Sequence, residues 1–162
     1  MTNLTYVLDT SAIVHDPLIF KNFPNSTIII PIAVVSELDK LKKQQGEVGK
    51  NARIANRLLD QLSESFEKDL NDGIKLENNS VLKFDTTFYS EKDFAGFGDP
   101  SYGDTQILIC AYVHLIEKGQ DVTLVSNDVN LKIKARPRGI KAISYDGTKS
   151  NTLELYSGFK TV

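Results

Sequence analysis

Four acidic residues occupy positions where α/β proteins commonly place their chemistry. Asp9 ends the apolar run LTYVL, and Asp128 follows the apolar run VTLV in the segment VSND. Glu37 and Asp104 lie on or beside the apolar stripes of two predicted helices. Because ligands of parallel sheets bind at the carboxyl ends of the strands, we expect the four carboxyl groups to converge at one edge of one sheet.

Such a convergence predicts a particular kind of chemistry. Two carboxylates at 4 Å repel by about 4 kcal/mol at an effective dielectric constant of 20, so the cluster must be neutralised. Shared protons could do this, but a hard divalent cation does it better. Oxygen-only ligands suit Mg²⁺ or Mn²⁺ rather than zinc. Such an ion keeps waters and recruits phosphates, which indicates metal-dependent hydrolysis of phosphodiester bonds.

Each acid also has a purely structural interpretation, which stays open from the sequence. Asp9 could close an Asx-turn after its strand. Glu37 could reach solvent from the border of its apolar stripe. Asp104 could act as a helix N-cap or as a first-turn acid, and Asp128 could cap the helix that follows it.

The elements that must position these acids alternate between strands and helices. This alternation predicts an α/β fold with a mainly parallel sheet covered on both faces. Pro31 suits the first turn of a helix, and the segment QQGEVG is predicted to be a loop. Strands are predicted at 4–8, 27–30, 74–76, 81–84, 122–125 and 140–143, and helices at 11–20, from Pro31 to about 43, and at 50–70, 104–118 and 129–135.

Length and composition predict one globular domain. The chain has 162 residues, of which 41% are hydrophobic and 25% charged. No apolar run approaches the ~18 residues of a membrane span, and the first residues do not resemble a signal peptide. The single cysteine, Cys110, cannot form an internal disulfide, so we expect a cytoplasmic protein. We expect Cys110 and His114 to be packed core residues rather than ligands.

The order of four short motifs resembles that of PIN-domain nucleases. These motifs are DTSAI after the first strand, P-x-x-V-x-x-EL, GDTQIL, and SND after a later strand. The resemblance implies a three-layer α/β/α sandwich and a Mg²⁺- or Mn²⁺-dependent ribonuclease centre that cuts single-stranded RNA. It assigns the catalytic, metal-binding roles to Asp9, Glu37, Asp104 and Asp128.

The same resemblance assigns supporting roles to three small polar residues. Ser126 matches the hydroxyl position of the family two residues before the fourth acid. Thr10 and Ser11 match the small polar positions that follow the first acid.

Three further segments resemble the PIN domain that precedes a PhoH-like ATPase domain. They read GKNARIANRLLDQL, NLKIKA…GIKAISYDG and LELYSGFKTV. The chain has no P-loop motif, so ATP binding is not carried over to it. We therefore predict a PIN-like nuclease domain at 1–147 and a tail at 148–162 that begins a linker to an ATPase domain of a full-length protein. A homo-oligomer also stays open.

Clustered basic residues offer a path for RNA although the net charge is −2. Phosphate contacts would position a strand without reading its sequence. A solvated surface is the alternative for each of them. The predicted RNA-binding residues are Lys50, Arg53, Arg57, Lys132, Lys134 and Arg136. For Arg53, an internal partnership with one of the acids is a further alternative.

Aromatic residues of the long segment before GDTQIL could stack on bases, or could pack over the core instead. They are Phe88, Tyr89, Phe94, Phe97 and Tyr102. The competing function for the whole chain is a catalytically weak PIN domain that binds RNA or a protein within a PhoH-like ATPase.

Overall fold

The core of the molecule is a six-stranded sheet. A computed structural model describes residues 4–64, 73–90, 92 and 94–146, and the predicted tail at 148–162 lies outside them. The strand order is β3-β4-β2-β1-β5-β6, and all neighbours pair in parallel except β3 with β4. The strands are β1 (Leu4–Leu8), β2 (Thr27–Pro31), β3 (Ile74–Lys75), β4 (Val81–Asp85), β5 (Asp121–Val125) and β6 (Lys141–Ile143).

Helices cover both faces of this sheet. Consecutive residues of β1 and β2, such as Val7 and Leu8, are fully buried, which requires cover on both sides because neighbouring side chains point in opposite directions. The α/β fold class is therefore confirmed. The helices are α1 (Thr10–His15), α2 (Ile32–Leu41), α3 (Gly46–Ser63), α4 (Gly103–Ile116) and α5 (Val129–Ala135), with 3₁₀ turns at Ile19–Asn22 and Arg136–Arg138.

Two helix starts differ from the sequence prediction. Pro31 is the last residue of β2 and occupies the N-cap position of α2, so α2 begins at Ile32. Helix α3 begins at Gly46, inside the predicted loop, and Gly49 is buried in its first turns. A Cβ atom at Gly49 would lie 1.8 Å from the carbonyl oxygen of Gln44. The glycine there permits close packing of the helix on the preceding turn, and the loop prediction was wrong for this reason.

The predicted helix at 11–20 is divided in two. Helix α1 ends at His15, and the chain re-forms a 3₁₀ turn at Ile19–Asn22. The prediction for the end of α3, at residue 70, falls on residues outside the described part of the chain.

The long segment before α4 is held by its aromatic rings. Ring centroids lie 5.5 Å apart for Tyr89 and Phe94, 5.9 Å for Phe94 and Phe97, and 5.0 Å for Phe97 and Tyr112 of α4. These rings pack against the core, in line with the structural alternative. Phe88 and Tyr102 are 66% and 63% exposed and remain available at the surface.

None of the helices in the described ranges is both long enough and apolar enough to span a membrane.

Candidate metal and nucleic-acid site

Asp9 lies directly after β1, which is a central strand flanked by β2 and β5. Its backbone N–H donates to the carbonyl of Val125 at 2.9 Å, which extends the pairing with β5 by one residue. The residue is only 6% exposed. Burial raises the pKa of the Asp9 carboxyl, hydrogen bonds to Ser11 and Ser126 oppose that rise, and the charge of Asp128 adds to it.

Two serines hold the Asp9 carboxylate in place. The hydroxyls of Ser11 and Ser126 each donate to Asp9 Oδ2 at 2.7 Å. Both serine oxygens also accept backbone N–H groups, from Asn127 at 2.8 Å and from Asp128 at 3.0 Å respectively. Ser126 is fully buried. The two loops that follow β1 and β5 are thus locked together around one carboxylate.

Asp128 is close to this group and also caps α5. Its Oδ1 atom accepts from the backbone N–H of Asn130 at 2.9 Å and of Leu131 at 3.4 Å. The structural interpretation of Asp128 therefore holds. Its contribution to the Asp9 pKa places its charge within electrostatic reach of Asp9, so the two roles coexist.

Asp104 stands in the first turn of α4 and pairs with a lysine of α5. Lys134 Nζ lies 3.4 Å from Asp104 Oδ2, and both side chains are about half exposed. Next to Asp104, a Cβ atom on Gly103 would lie 4.0 Å from the Cβ of Ala33 in α2. The start of α4 is therefore near the first turn of α2, and Asp104 is paired with α5.

Glu37 lies one turn after Ala33 on the same side of α2. It is half-buried, between the fully buried Val34 and Leu38. Helix α2 follows β2, which neighbours β1, so Glu37 lies on the helix next to the one that follows Asp9.

Asp9 and Asp128 follow the neighbouring strands β1 and β5, and the convergence of all four acids at this edge stays a prediction. Across the described residues, no three of the four predicted acids have oxygens within 4.8 Å of one another. The carboxylates face partners of opposite polarity instead: serine hydroxyls for Asp9, helix N–H groups for Asp128 and Lys134 for Asp104.

The donor set fits a hard divalent cation. Carboxylate and hydroxyl oxygens are the ligands that Mg²⁺ and Mn²⁺ prefer. The hydroxyl oxygen of Thr10, next to Asp9, is buried and has no hydrogen-bond partner within the described residues. A buried polar atom without a partner is costly, so a water or ion within reach of this hydroxyl would be favoured.

Several of the predicted RNA-binding side chains already have protein partners. Arg53 donates to the carbonyls of Lys42 and Gln44 at 2.8 and 3.1 Å, which ties α3 to the end of α2 rather than to an acid. Arg136 donates to the carbonyl of Ala142 at 3.2 Å. The bonds of Arg53 are exposed and that of Arg136 is partly buried, and contact of either residue with RNA stays a prediction.

Two other predicted residues are also paired, and two are exposed on one helix. Lys132 bonds the hydroxyl of Ser144, and Lys134 bonds Asp104. Lys50 and Arg57 are both exposed on α3.

A second cluster was missed by the sequence analysis. Asp85 at the end of β4 accepts hydrogen bonds from Tyr89, Cys110 and His114 through its Oδ2 atom. Burial favours a higher pKa for the Asp85 carboxyl, but these bonds and one from the Thr87 N–H hold it well below the usual range. Cys110 and His114 are buried, as expected. Cys110 and His114 are four residues apart on α4, a spacing that could have indicated a pair of ligands. No motif around Asp85 in the sequence indicated that this residue would join them.

Comparison with known proteins identifies a family and several relatives that this chain resembles. A family model described as "PIN domain" matches residues 6–146. The Protein PhoH2 of Bacillus subtilis is 31% identical over 162 residues, covering 96% of this chain and 36% of that protein. The Protein PhoH2 of Mycolicibacterium smegmatis is 33% identical over 143 residues, covering 87% and 32%.

A solved structure supports the fold. It is a domain of a functionally unknown protein from Methanocaldococcus jannaschii, with a TM-score of 0.55 and 21% identity, and the match covers 89% of this chain and 92% of that one.

The chain belongs to the PIN domain family, whose fold is that of nucleases. The expected likeness to the PIN domain of PhoH-like proteins is confirmed. The chain spans about a third of the length of the curated relatives it matches.

Proposed function

We propose that this chain is a metal-dependent endoribonuclease domain that hydrolyses phosphodiester bonds of single-stranded RNA. Asp9, Glu37, Asp104 and Asp128 would hold Mg²⁺ or Mn²⁺. The observation that carries the proposal is the buried Asp9 carboxylate at the end of a central strand, held by Ser11 and Ser126 at 2.7 Å each. A protein that keeps an acid 6% exposed, against the cost of burying its charge, has a use for that charge.

The residues of the chain would divide the work. A bound Mg²⁺ or Mn²⁺ ion supplies a water of lowered pKa and positive charge for the leaving oxygen. Ser11 and Ser126 keep Asp9 in one orientation, so this carboxylate does not have to be ordered when substrate arrives. Lys134, already 3.4 Å from Asp104, offers an ammonium group to a phosphate at the same edge.

Basic and aromatic side chains would guide the RNA towards the acids. Lys132, Lys134 and Arg136 follow Asp128 along α5 and the turn after it, and Lys50, Arg53 and Arg57 lie along α3. Contacts from such residues to phosphates are independent of sequence. Phe88 and Tyr102, the exposed aromatics of the segment before Asp104, can stack on unpaired bases, which favours single-stranded RNA.

The test is cleavage of labelled single-stranded RNA in Mn²⁺, in Mg²⁺ and in EDTA. We expect cleavage with either ion and none in EDTA. Asp9→Asn should reduce the rate by on the order of a hundredfold, which is the usual loss for one electrostatic group of an active site. Asp60→Asn, a change to an exposed acid of α3, is the matched control and should leave the rate unaltered. Cleavage that survives EDTA or Asp9→Asn would disprove the metal mechanism.

The second candidate is an RNA- or protein-binding module within a PhoH-like ATPase in the cytoplasm. It is favoured by one observation, the relatives' length, about three times that of this chain. In this case the wild type would bind Mn²⁺ and RNA without cutting it. A homo-oligomer, which would place two acidic edges in one assembly, is tested by light scattering of the same preparation.

A further inference from the structure

The second cluster, formed by Asp85, Cys110 and His114, joins the end of β4 to the middle of α4. Asp85 Oδ2 lies 3.0 Å from His114 Nε2 and 3.3 Å from Cys110 Sγ. The three ligand atoms all lie within 4.8 Å of one another. Cys110 is 1% exposed and His114 6%, so the cluster is closed to bulk water. It shares no residue with the acidic edge around Asp9.

The two nitrogens of His114 both face side-chain oxygens. Nδ1 is 2.8 Å from Gln120 Oε1, and Nε2 is 3.0 Å from Asp85 Oδ2. In the metal-free cluster Nε2–H can donate to Asp85, since the Gln120 amide can present either its oxygen or its NH₂ group to Nδ1. With a metal ion on Nε2, Nδ1–H would instead donate to Gln120 Oε1, while Nε2 and Asp85 both bind the ion. Metal-binding histidines are usually oriented through their other nitrogen in this way.

Two of the three ligand separations are close to those of a tetrahedral site, and the third, between Cys110 and His114, is within 4.8 Å. Ligands at about 2.0–2.3 Å from a zinc ion stand about 3.3–3.6 Å apart in a tetrahedron. The observed 3.0 and 3.3 Å differ from this by a few tenths of an ångström. Cys110 and His114 are also four residues apart on one helix, a spacing that puts two ligands on the same face.

We propose that Asp85, Cys110 and His114 form a structural zinc site. The combination of a thiolate with an imidazole and a carboxylate favours Zn²⁺ over Mg²⁺. Binding forms a zinc–sulfur bond and releases the thiol proton of Cys110 to solvent, with no change of oxidation state. The fourth position falls to water or to the hydroxyl of Tyr89, which is 2.7 Å from Asp85 Oδ2.

The position of the site gives zinc a defined effect on the fold. Asp85 precedes the long segment 86–102, while Cys110 and His114 lie on the helix that follows it. An ion there would fasten both ends of this segment. Asp104 lies in the first turn of the same helix, so the zinc site would steady the helix that carries one of the proposed nuclease acids.

The first experiment measures zinc directly in the folded chain. Protein purified without chelator is analysed by elemental mass spectrometry, and a metal-depleted sample is titrated with Co²⁺. We expect one zinc per chain and, with Co²⁺, the near-ultraviolet charge-transfer absorption of a thiolate–cobalt bond. A folded wild type that holds no zinc and gives no such absorption with Co²⁺ would overturn the proposal and leave a hydrogen-bonded cluster.

Variants separate this site from the acidic edge. Cys110→Ser keeps a hydroxyl donor for Asp85 but loses the thiolate, so the cobalt–thiolate absorption should vanish and zinc affinity should fall at least a hundredfold. Asp9→Asn should retain one zinc per chain whether or not the chain is a nuclease. Unchanged zinc affinity in Cys110→Ser would overturn the site. If Cys110→Ser does not fold, His114→Gln is tested by the same titration, and an unaltered thiolate–cobalt absorption there would count equally against it.

Discussion

At the scale of single residues, the unusual feature is a nearly buried acid that directly follows a central strand of the sheet. Asp9 is 6% exposed, and burial raises the pKa of its carboxyl despite two serine hydroxyls at 2.7 Å. Ionisation of this carboxyl therefore costs the folded chain stability. Groups of this kind are common at functional sites, where activity is maintained against stability.

Asp9→Asn is therefore expected to stabilise the fold while greatly reducing the rate of cleavage. The amide oxygen can still accept from Ser11 and Ser126, but no charge has to be buried. We expect a higher melting temperature at pH 7 in metal-free buffer, measured by calorimetry. Asp60→Asn should leave it unchanged, and a lower melting temperature for Asp9→Asn would show that the charge is not a burden to the fold.

The gain in stability that we expect from Asp9→Asn has a defined pH dependence. Because the folded pKa of Asp9 is raised from its ordinary value of 3.8, the folded state holds the proton more tightly than the unfolded chain does. Ionisation therefore costs stability as pH rises from about the unfolded value through the folded one. The advantage of Asp9→Asn should be complete above the folded pKa and should disappear below pH 3.8, where the carboxyl is protonated in both states.

At the scale of elements, the start of α3 shows how a close approach defines a helix. Gly49 lies against the carbonyl of Gln44, where a Cβ atom would be 1.8 Å from the oxygen. Arg53, one turn later, donates to the same carbonyl at 3.1 Å and to that of Lys42 at 2.8 Å. The turn between α2 and α3 is therefore fastened to the first turns of α3, and Glu37 lies on the helix that leads into it.

Gly49→Ala should be strongly destabilising for this reason. A backbone oxygen cannot move away as a flexible side chain can, so we expect a loss of more than about 3 kcal/mol in urea unfolding. Gly103→Ala is the matched control, because a Cβ there would meet only Ala33 at 4.0 Å. That change should be neutral or stabilise by about 0.5 kcal/mol. Equal effects of the two substitutions would refute the steric explanation.

Local patterns explain why much of this arrangement was predictable. Apolar runs placed the strands, and the acids that follow β1 and β5 were found because strand ends are abrupt in sequence. The Gly49 contact depends on the close approach of two stretches of backbone. The only sign of it in the sequence is a glycine, which by itself favours the prediction of a loop. The pairs Lys134–Asp104 and Asp85–His114 join residues 30 and 29 positions apart, and only the folded chain brings them together.

At the scale of the whole molecule, the sheet carries two separate polar clusters. Asp9 and Asp128 follow β1 and β5, while the Asp85 cluster belongs to β4 and the middle of α4. Helix α4 connects them, with Asp104 in its first turn and His114 near its end. A divalent ion at either place binds only the folded chain, so each ion should be visible in the overall stability.

Manganese should therefore raise the melting temperature, and Glu37→Gln should reduce that rise. An excess of 100 times the dissociation constant contributes about 2.7 kcal/mol, and each kcal/mol is worth about 2–4 °C for a chain of this size. Glu47→Gln, an exposed change in the first turn of α3, is the control. The measurement is a thermal melt with and without Mn²⁺. A rise of the same size in Glu37→Gln would remove Glu37 from the site.

The buried thiol of Cys110 on α4 can also be used to measure the motion of that helix. Cys110 is the single cysteine and is 1% exposed, so an alkylating reagent reaches it only in molecules whose α4 has lifted from the sheet. The alkylation rate therefore measures how often the helix that carries Asp104 opens, and no second thiol contributes to this rate. Mn²⁺ and RNA can each be added in turn to metal-depleted protein, and slower alkylation identifies which of them keeps that helix closed.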